Sequence, residues 1–415
     1  MGRHAGQHPA LAEGFVLRTV ESDEDIDRYV DLNEAVAAEG KIARRLIERR
    51  PDTSRQDFLF VIEERTGRVV STTCHLGWQL IVEGVALRVL MLEMVVTHPD
   101  YRRHGLVRAQ IEVFHERAAR LGVDLTVIQG IPYYYRQFGY GYAWDHAPRV
   151  ELGLREASVA GPGAPLRARP ALPADAAALA RLHDIEMARQ GIHVARSATY
   201  WEYLTTAAAR GCELLERPGR PEPAAFAMVR QEGDSLMVDE AGLRDAAEAS
   251  SVLAALAPRC TGGVVVCGNS AHSLCHEALV RGGTARVPGQ WLVRIPNPAA
   301  LVDRLRHVLE RRLCRGGFAD AETDVVINLY QTAFRLRVVQ GRIDEVQDMG
   351  FMDASTGSDG GDLCVPPDAF ARLLLGYRSL EQVLDAWPDT MIKAGARALL
   401  EALFPRVDSL ILMPY

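Results

Sequence analysis

Arg102-Arg103-His104-Gly105-Leu106-Val107-Arg108 sets three arginines around one glycine. Such a turn suits a phosphate if it opens a helix. The first N–H groups of a helix lack intrahelical partners, and the macrodipole makes that end positive. Gly105 lets backbone and ligand approach closely. A second group is tyrosine-rich, Ile131-Pro132-Tyr133-Tyr134-Tyr135-Arg136-Gln137-Phe138-Gly139-Tyr140-Gly141. A phenol, with a reference pKa of about 10, keeps its proton at neutral pH and can give it to a developing anion. Glu93 is the one carboxylate in the apolar run Met91–Val96. It can serve as a base, hold a cationic substrate, or form a structural ion pair. Cys267, His272, Cys275 and His276 lie near one another, but their spacing matches no common zinc pattern, so no metal is expected.

The elements that must position these groups are legible from periodicity. Met91–Val96 reads as a strand, stopped by His98-Pro99-Asp100 because proline cannot continue a ladder. Leu106, Ala109, Ile111, Val113 and Phe114 fit one apolar helix face. Leu125–Ile128 then reads as a strand running parallel to the one that ends at Thr97. Strict alternation would put Met91, Glu93 and Val95 on one face of their strand. Upstream, Phe15–Val20 is strand-like, and Ser22-Asp23-Glu24-Asp25 is a capping pattern for an acidic helix. Lys41–Arg49 reads as a basic helix, and Asp31 and Glu34 as surface carboxylates. Phe58–Ile62, Val69–Trp78 and Val85–Val96 read as antiparallel strands, turning at Arg65-Thr66-Gly67 and Val82-Glu83-Gly84. Tyr142–Leu152 reads as a closing strand pair.

At 415 residues and 48% hydrophobic content the chain can bury more than one core, about two to four domains by length. A net charge of -7 and a pI of about 6.0 argue against nucleic acid and agree with a cationic substrate. Seven cysteines without a C-x-x-C pattern suggest reduced thiols and a cytoplasmic setting. No stretch is long and apolar enough to suggest a membrane span.

The strand, the basic turn and the tyrosine loop together resemble the GNAT acyl-CoA N-acyltransferases. The family's R-x-x-G-x-G/A signature appears as Arg102-Arg103-His104-Gly105-Leu106-Val107, departing at Val107. That departure, with Arg108-Ala109 and Tyr135-Arg136-Gln137-Phe138-Gly139-Tyr140-Gly141, resembles the enhanced-intracellular-survival (Eis) branch. The resemblance implies a mixed, splayed central sheet and acetyl-CoA as acyl donor. Backbone groups of Arg103, His104, Gly105, Leu106, Val107 and Arg108 would hold the pyrophosphate, with Arg103 and Arg108 adding side-chain charge. Val95, Val96 and Thr97 would bond the pantetheine amides, and Gly130 and Ile131 would border the cofactor. Tyr135 falls on the family's general-acid position. The aromatic last residue, Tyr415, falls where that branch uses the α-carboxylate as base, with Glu93 as rival base or substrate contact. The resemblance also offers Asp31 and Glu34, otherwise surface carboxylates, as acids that face an amine.

The remaining chain continues the likeness. Ala157–Ala164 is a Gly/Pro-rich linker. Residues 165–292 echo the first unit in order, but their counterpart of the basic turn, Val238-Asp239-Glu240-Ala241-Gly242-Leu243-Arg244-Asp245, is acidic and would repel phosphate. Residues 293–415 read as strands followed by helices, an α+β unit that resembles a sterol-carrier-like domain. Leu301–Leu313 reads as one helix, and Asp368 as the N-cap of a later one. The expected architecture is α/β and α+β: a catalytic unit over 1–156, a degenerate GNAT-like unit over 165–292 and a third over 293–415. The expected activity is acetyl transfer to a primary amine of a cationic small molecule, in a homo-oligomer that the resemblance implies to be a hexamer. The alternative is a protein that binds acyl-CoA or an apolar ligand without catalysis.

Overall fold

The computed structural model describes residues 11–159, 161, 165–206, 211–220, 222–353 and 360–413. The first part of the chain forms β1 (Phe15–Thr19), α1 (Asp23–Ala37), α2 (Gly40–Arg49), β2 (Phe58–Glu63), β3 (Arg68–Val82), β4 (Val85–Thr97), α3 (Leu106–Leu121), β5 (Leu125–Ile128), β6 (Gly141–His146) and β7 (Arg149–Gly153). Ser22 caps α1 in a full capping box with Asp25. β3 and β4 form a long hairpin whose turn residues, Glu83 and Gly84, both take positive φ, 44° and 89°.

The middle of the chain adds β8 (Arg167–Pro170), β9 (Ile192–Ala195), β10 (Gly211–Glu216), β11 (Ala225–Glu232), β12 (Ser235–Leu243), β13 (Gly263–Cys267), β14 (Thr284–Arg286) and β15 (Gly289–Arg294). The last part adds β16 (Thr323–Asn328), β17 (Ala333–Val339), β18 (Arg342–Gly350), β19 (Leu363–Cys364), β20 (Met391–Ile392) and β21 (Ser409–Leu410). Three mixed sheets result, so the chain is α/β and α+β. The first runs β1-β2-β3-β4-β5-β15-β6, the second β8-β10-β11-β12-β13-β7-β14, and the third β18-β17-β16-β19-β20.

The first two sheets share one plan, an antiparallel meander closed by one parallel pair, β4–β5 or β12–β13. They also exchange strands. The expected closing pair Tyr142–Leu152 does not pair with itself. β6 stays in the first sheet while β7 crosses into the second, between β13 and β14, and β15 returns from the middle of the chain to sit between β5 and β6. Alternation within a strand fixes which face is buried, not which neighbour it pairs with, so the exchange leaves no local mark. A further link ties the end of the described chain to the first sheet: β21 pairs in parallel with β9, which pairs with β3.

Two helical boundaries differ from expectation. The helix Pro367–Leu374 begins at Pro367, with Pro366 at the cap and Asp368 in the first turn rather than at the cap. Proline at N1 is preorganised in φ and needs no N–H partner, so it sets the start. The expected helix Leu301–Leu313 is two, Pro298–Arg304 and Arg306–Arg315, broken at Leu305.

The first sheet is covered on both faces. Tyr29 and Leu32 of α1 and Leu46 of α2 join Phe58, Met91 and Met94 on one side. Ile111, Phe114 and Ala118 of α3 join Leu90, Leu92, Ile128, Tyr135 and Tyr140 on the other. The strands Phe58–Glu63 and Leu125–Ile128 are apolar nearly throughout for this reason.

Candidate active site

β4 and β5 pair only from Val89↔Leu125 to Leu92↔Ile128, yet β4 continues five residues to Thr97. The sheet therefore opens beyond Leu92. At the opening β4 carries a bulge: Cys74 pairs with Glu93 and Thr72 with Val96, so Met94 and Val95 together face Thr73 alone. Met94 takes a left-handed φ of 54°. The bulge breaks the expected alternation. Val95 packs on the α3 side with Leu92, whereas Met91 and Met94 face the α1 side. Val95 does not share a face with Met91.

Buried polar groups hold this distortion. Asn33, fully buried on α1, donates to the Thr72 hydroxyl at 3.1 Å, and Thr72 donates to the Met94 carbonyl at 3.2 Å. The Ser71 hydroxyl lies within bonding distance of the Val96 carbonyl (3.0 Å), the Thr97 hydroxyl (2.9 Å) and the Gln110 side-chain oxygen on α3 (2.9 Å). The widened end of β4 is thus tied to the helices on both faces. Sequence reasoning missed Ser71, Thr72 and Gln110. Polar residues inside an apolar strand and an apolar helix face were the available signal.

Below the opening, Gly105 caps α3 with φ 75° and no side-chain cap, and Arg103 is left-handed at φ 67°. The unpartnered N–H groups of the first turn of α3 and its positive end make this an anion-binding position. Arg102 and Arg103 are exposed beside it. The turn, the opening of β4 and the tyrosine loop enclose one cleft of about 630 Å³. Val95, Val96, Thr97, Arg103, Gly105, Leu106, Val107, Arg108, Ile131 and Tyr135 all line it, together with Val36, Ala37, Tyr101, Arg102, Tyr134 and Gln137.

His104, Gly130 and Glu93 do not line this cleft. The His104 ring packs 5.5 Å from Phe15, with Nδ1 3.1 Å from the Arg102 carbonyl. Gly130 lies behind the Tyr135 ring, and a β-carbon there would collide with it. The Arg108 guanidinium donates to Gln137 at 2.7 Å and lies 5.1 Å over the Phe138 ring. Arg108 therefore braces α3 against the tyrosine loop while, like Arg102 and Arg103, it stays exposed at the cleft.

Tyr135 sits on the 3-10 turn Tyr134–Phe138 and is buried against Tyr134 (ring centroids 5.0 Å) and Tyr140 (6.4 Å). Burial chiefly, then Tyr134 and the Glu93 carboxylate, pushes its hydroxyl well above the ordinary phenol value. Tyr135 therefore stays protonated across the physiological range and is suited to give a proton, not to take one. Half-buried Glu93 stands opposite Cys74 and within electrostatic reach of Tyr29, Cys74 and Tyr135. Asp31 and Glu34 instead line a shallow hollow between α1 and α2, where Glu34 accepts from the Gly40 N–H at 2.9 Å.

Tyr415 lies outside the described residues. The segment leading to it is anchored: Leu410, Ile411 and Met413 are buried, and β21 runs close to β6. Arg196, itself buried, donates to the Leu412 carbonyl at 3.1 Å and grips Glu240 through two bonds of 2.6 and 2.8 Å. Sequence reasoning missed Arg196, since its partners lie far along the chain.

In the second sheet the acids just beyond the parallel pairing are neutralised. Glu240 is held by Arg196 and Asp239 by Arg230. Elsewhere, His272 Nε2 lies 3.0 Å from the Ala241 carbonyl, and the Cys275 thiol donates to the Val266 carbonyl. Among the described residues no group of three or more His, Cys, Asp or Glu side chains could hold a metal, and no helix is long and apolar enough to cross a membrane.

Comparison with known proteins agrees with this geometry. Residues 17–143 match the family profile of the acetyltransferase (GNAT) domain. None of the curated proteins matches the sequence. Among solved structures, a probable N-acyltransferase of Enterococcus faecalis aligns over 97% of this chain and 100% of its own, with a TM-score of 0.73 at 13% identity. A GCN5-related N-acetyltransferase from Anabaena variabilis covers the same shares, with a TM-score of 0.71 at 15% identity. Eis1 from Mycobacterium abscessus covers 96% of this chain and 100% of its own, with a TM-score of 0.66 at 15% identity. At such identities the structures speak for the fold, and the profile match speaks for the chemistry of the first unit. Residues 17–143, which carry the bulged strand, the basic turn and the tyrosine loop, form an acetyltransferase domain of the GNAT family.

Proposed function

We propose that the protein is an acetyl-CoA-dependent N-acetyltransferase acting on a primary amine of a cationic small molecule, of the aminoglycoside, polyamine or lysine-like class. One observation carries the reading: a single cleft joins the Gly105 turn, the free end of β4 and the Tyr135 side chain. In this reading acetyl-CoA is a substrate. The N–H groups of Arg103 to Arg108 hold its pyrophosphate, and the free backbone of Val95, Val96 and Thr97 bonds the pantetheine amides.

Acyl transfer needs a neutral amine, a polarised carbonyl and a protonated leaving thiolate. An N–H of the β4 bulge near Val95 donates to the thioester oxygen as negative charge develops there. A new C–N bond forms and the C–S bond breaks. Tyr135 gives its proton to the departing sulfur, and a base removes the surplus proton from the amine. The Tyr415 α-carboxylate is the proposed base. The buried Leu410, Ile411 and Met413 and the Arg196 clamp support it. Glu93, on the α1 side of β4, is the proposed contact for the cationic acceptor and the rival base. The negative net charge agrees with a cationic substrate.

The remaining units complete the proposal. Residues 1–156 are the catalytic unit. Residues 165–292 act as a non-catalytic scaffold, in keeping with the acids Asp239 and Glu240 where the first unit has its basic turn. Residues 293–415 form a sterol-carrier-like domain that braces the first sheet. Assembly as a cytoplasmic hexamer rests on the Eis likeness. Thiol release from acetyl-CoA with a panel of aminoglycosides, polyamines and lysine peptides tests the reading. Amine-dependent release by at least one class is expected. Tight CoA binding with no release from any amine would turn the reading to a binding protein.

A further inference from the structure

A second cavity lies on the far side of the tyrosine loop. It has a volume of about 500 Å³ and is bounded by four separate stretches of the chain. The 3-10 turn Tyr134–Phe138 separates it from the acyl-CoA cleft: Tyr134, Tyr135 and Gln137 face the cleft, and Arg136 faces the second cavity. β15 contributes Arg294, and the C-terminal unit contributes Leu329, Thr332, Asp368 and Phe370.

The charge on this lining is unbalanced. Arg136 lies over the Tyr133 and Tyr142 rings, 5.4 and 5.7 Å from their centroids, and not against a carboxylate. The Arg294 side chain crosses Gly139, where a β-carbon would stand 3.4 Å from Nε, and Gly139 in turn bonds the Arg136 carbonyl through its N–H. Neither guanidinium has an ion-pair partner among the described residues. Asp368 is the one acid in the lining, which leaves a formal charge of +1 from two arginines and one aspartate. Arg136 is exposed and Arg294 half-buried, and guanidiniums that lack an acidic partner can take a carboxylate through charge-assisted hydrogen bonds.

We propose that this interdomain cavity binds a small organic monocarboxylate, with its carboxylate between Arg136 and Arg294 and its apolar body against Leu329 and Phe370. Asp368 repels a second negative charge, which disfavours phosphates and dicarboxylates. The site is separate from the acyl-CoA cleft, and the proposal does not depend on the acetyl-transfer reading.

Titration calorimetry of the full chain with benzoate tests it, with inorganic phosphate and benzylamine as comparison probes. Saturable benzoate binding is expected, weakened by roughly tenfold or more in Arg294→Gln and partly restored in Arg294→Lys, as for loss of a charge-assisted pair. Thr332→Trp, which places an indole in the cavity and keeps both arginines, is expected to abolish binding and serves if Arg294→Gln fails to fold. Thermal stabilisation by CoA should be unchanged in every folded variant. Equal benzoate affinity in the wild type and the Arg294 and Thr332 variants, or tighter binding of phosphate or benzylamine, would overturn the proposal.

Discussion

A β-carbon on Gly130 would stand 2.1 Å from Cε2 and 2.5 Å from Cδ2 of Tyr135. The glycine leaves room for the ring, and the ring sets where the hydroxyl sits. Gly130 therefore acts on Tyr135 more directly than on the cofactor it was expected to border. Gly130→Ala is expected to push the phenol out of line while leaving the Gly105 turn intact. Turnover should fall by roughly ten- to a hundredfold, the scale of an ångström-sized misplacement, with the acyl-CoA KM changed by less than about threefold. Steady-state thiol release measures both, and wild-type turnover would mean that the ring position is not limiting.

Tyr135→Phe removes the proposed acid and keeps the packing against Tyr134 and Tyr140. A fall in kcat of about 10²- to 10⁴-fold is expected, in the range for general-acid catalysis. Burial raises the Tyr135 pKa above its ordinary value. The acid form is thus complete at neutral pH and lost only as pH rises past that raised value, so the wild-type rate should show no decline from this group between pH 7 and about pH 10. An alkaline limb centred within that range, and absent from Tyr135→Phe, would contradict the assignment.

The bulge that frees the end of β4 depends on a chain of buried hydrogen bonds from Asn33 through Thr72 to the Met94 carbonyl. Thr72→Val keeps the shape and removes the link. The Met94 carbonyl loses its donor and the Asn33 amide loses an acceptor, for a stability loss of about 1–3 kcal/mol. The acyl-CoA KM should rise, because the amides that meet the pantetheine are no longer fixed. Urea midpoints and KM are the two readouts. Loss of stability with an unchanged KM would separate the bulge from binding.

These three cases divide what the sequence made legible from what it did not. The Ser22 cap, the Glu83-Gly84 turn and the change of period around Gly105 are local signals, and each element formed where its signal lies. The bulge is not local in this sense. Met91 to Val96 is apolar on both sides, with no glycine or proline to mark Met94, so alternation misassigned Val95. The exchange of β7 and β15 between sheets is equally silent, since either sheet buries the same alternate residues. The bond from Arg108 to Gln137 is silent too, since the two lie 29 residues apart. Contacts across such separations are set by tertiary packing.

His75 offers a test of the packing behind α3. It is buried on β3 with its ring 4.9 Å from Phe114. Burial, and secondarily Arg117, takes its imidazole down to about 3. The unfolded chain binds a proton near its reference value of about 6.5, where the folded protein does not. The sign follows: this group leaves stability untouched above about pH 6.5, and stability falls as pH drops from there toward 3. Between pH 6.5 and 5 the loss from this one buried group is roughly 1–2 kcal/mol. His75→Phe, which keeps the aromatic contact, should remove that part of the slope. His115, lowered to about 4 by burial and then by Arg294, contributes equally to both proteins and cancels in the difference. Urea midpoints at the two pH values give the comparison. Parallel slopes would mean that the His75 ring reaches water and takes up its proton in the folded state, and that α3 is not sealed against the sheet.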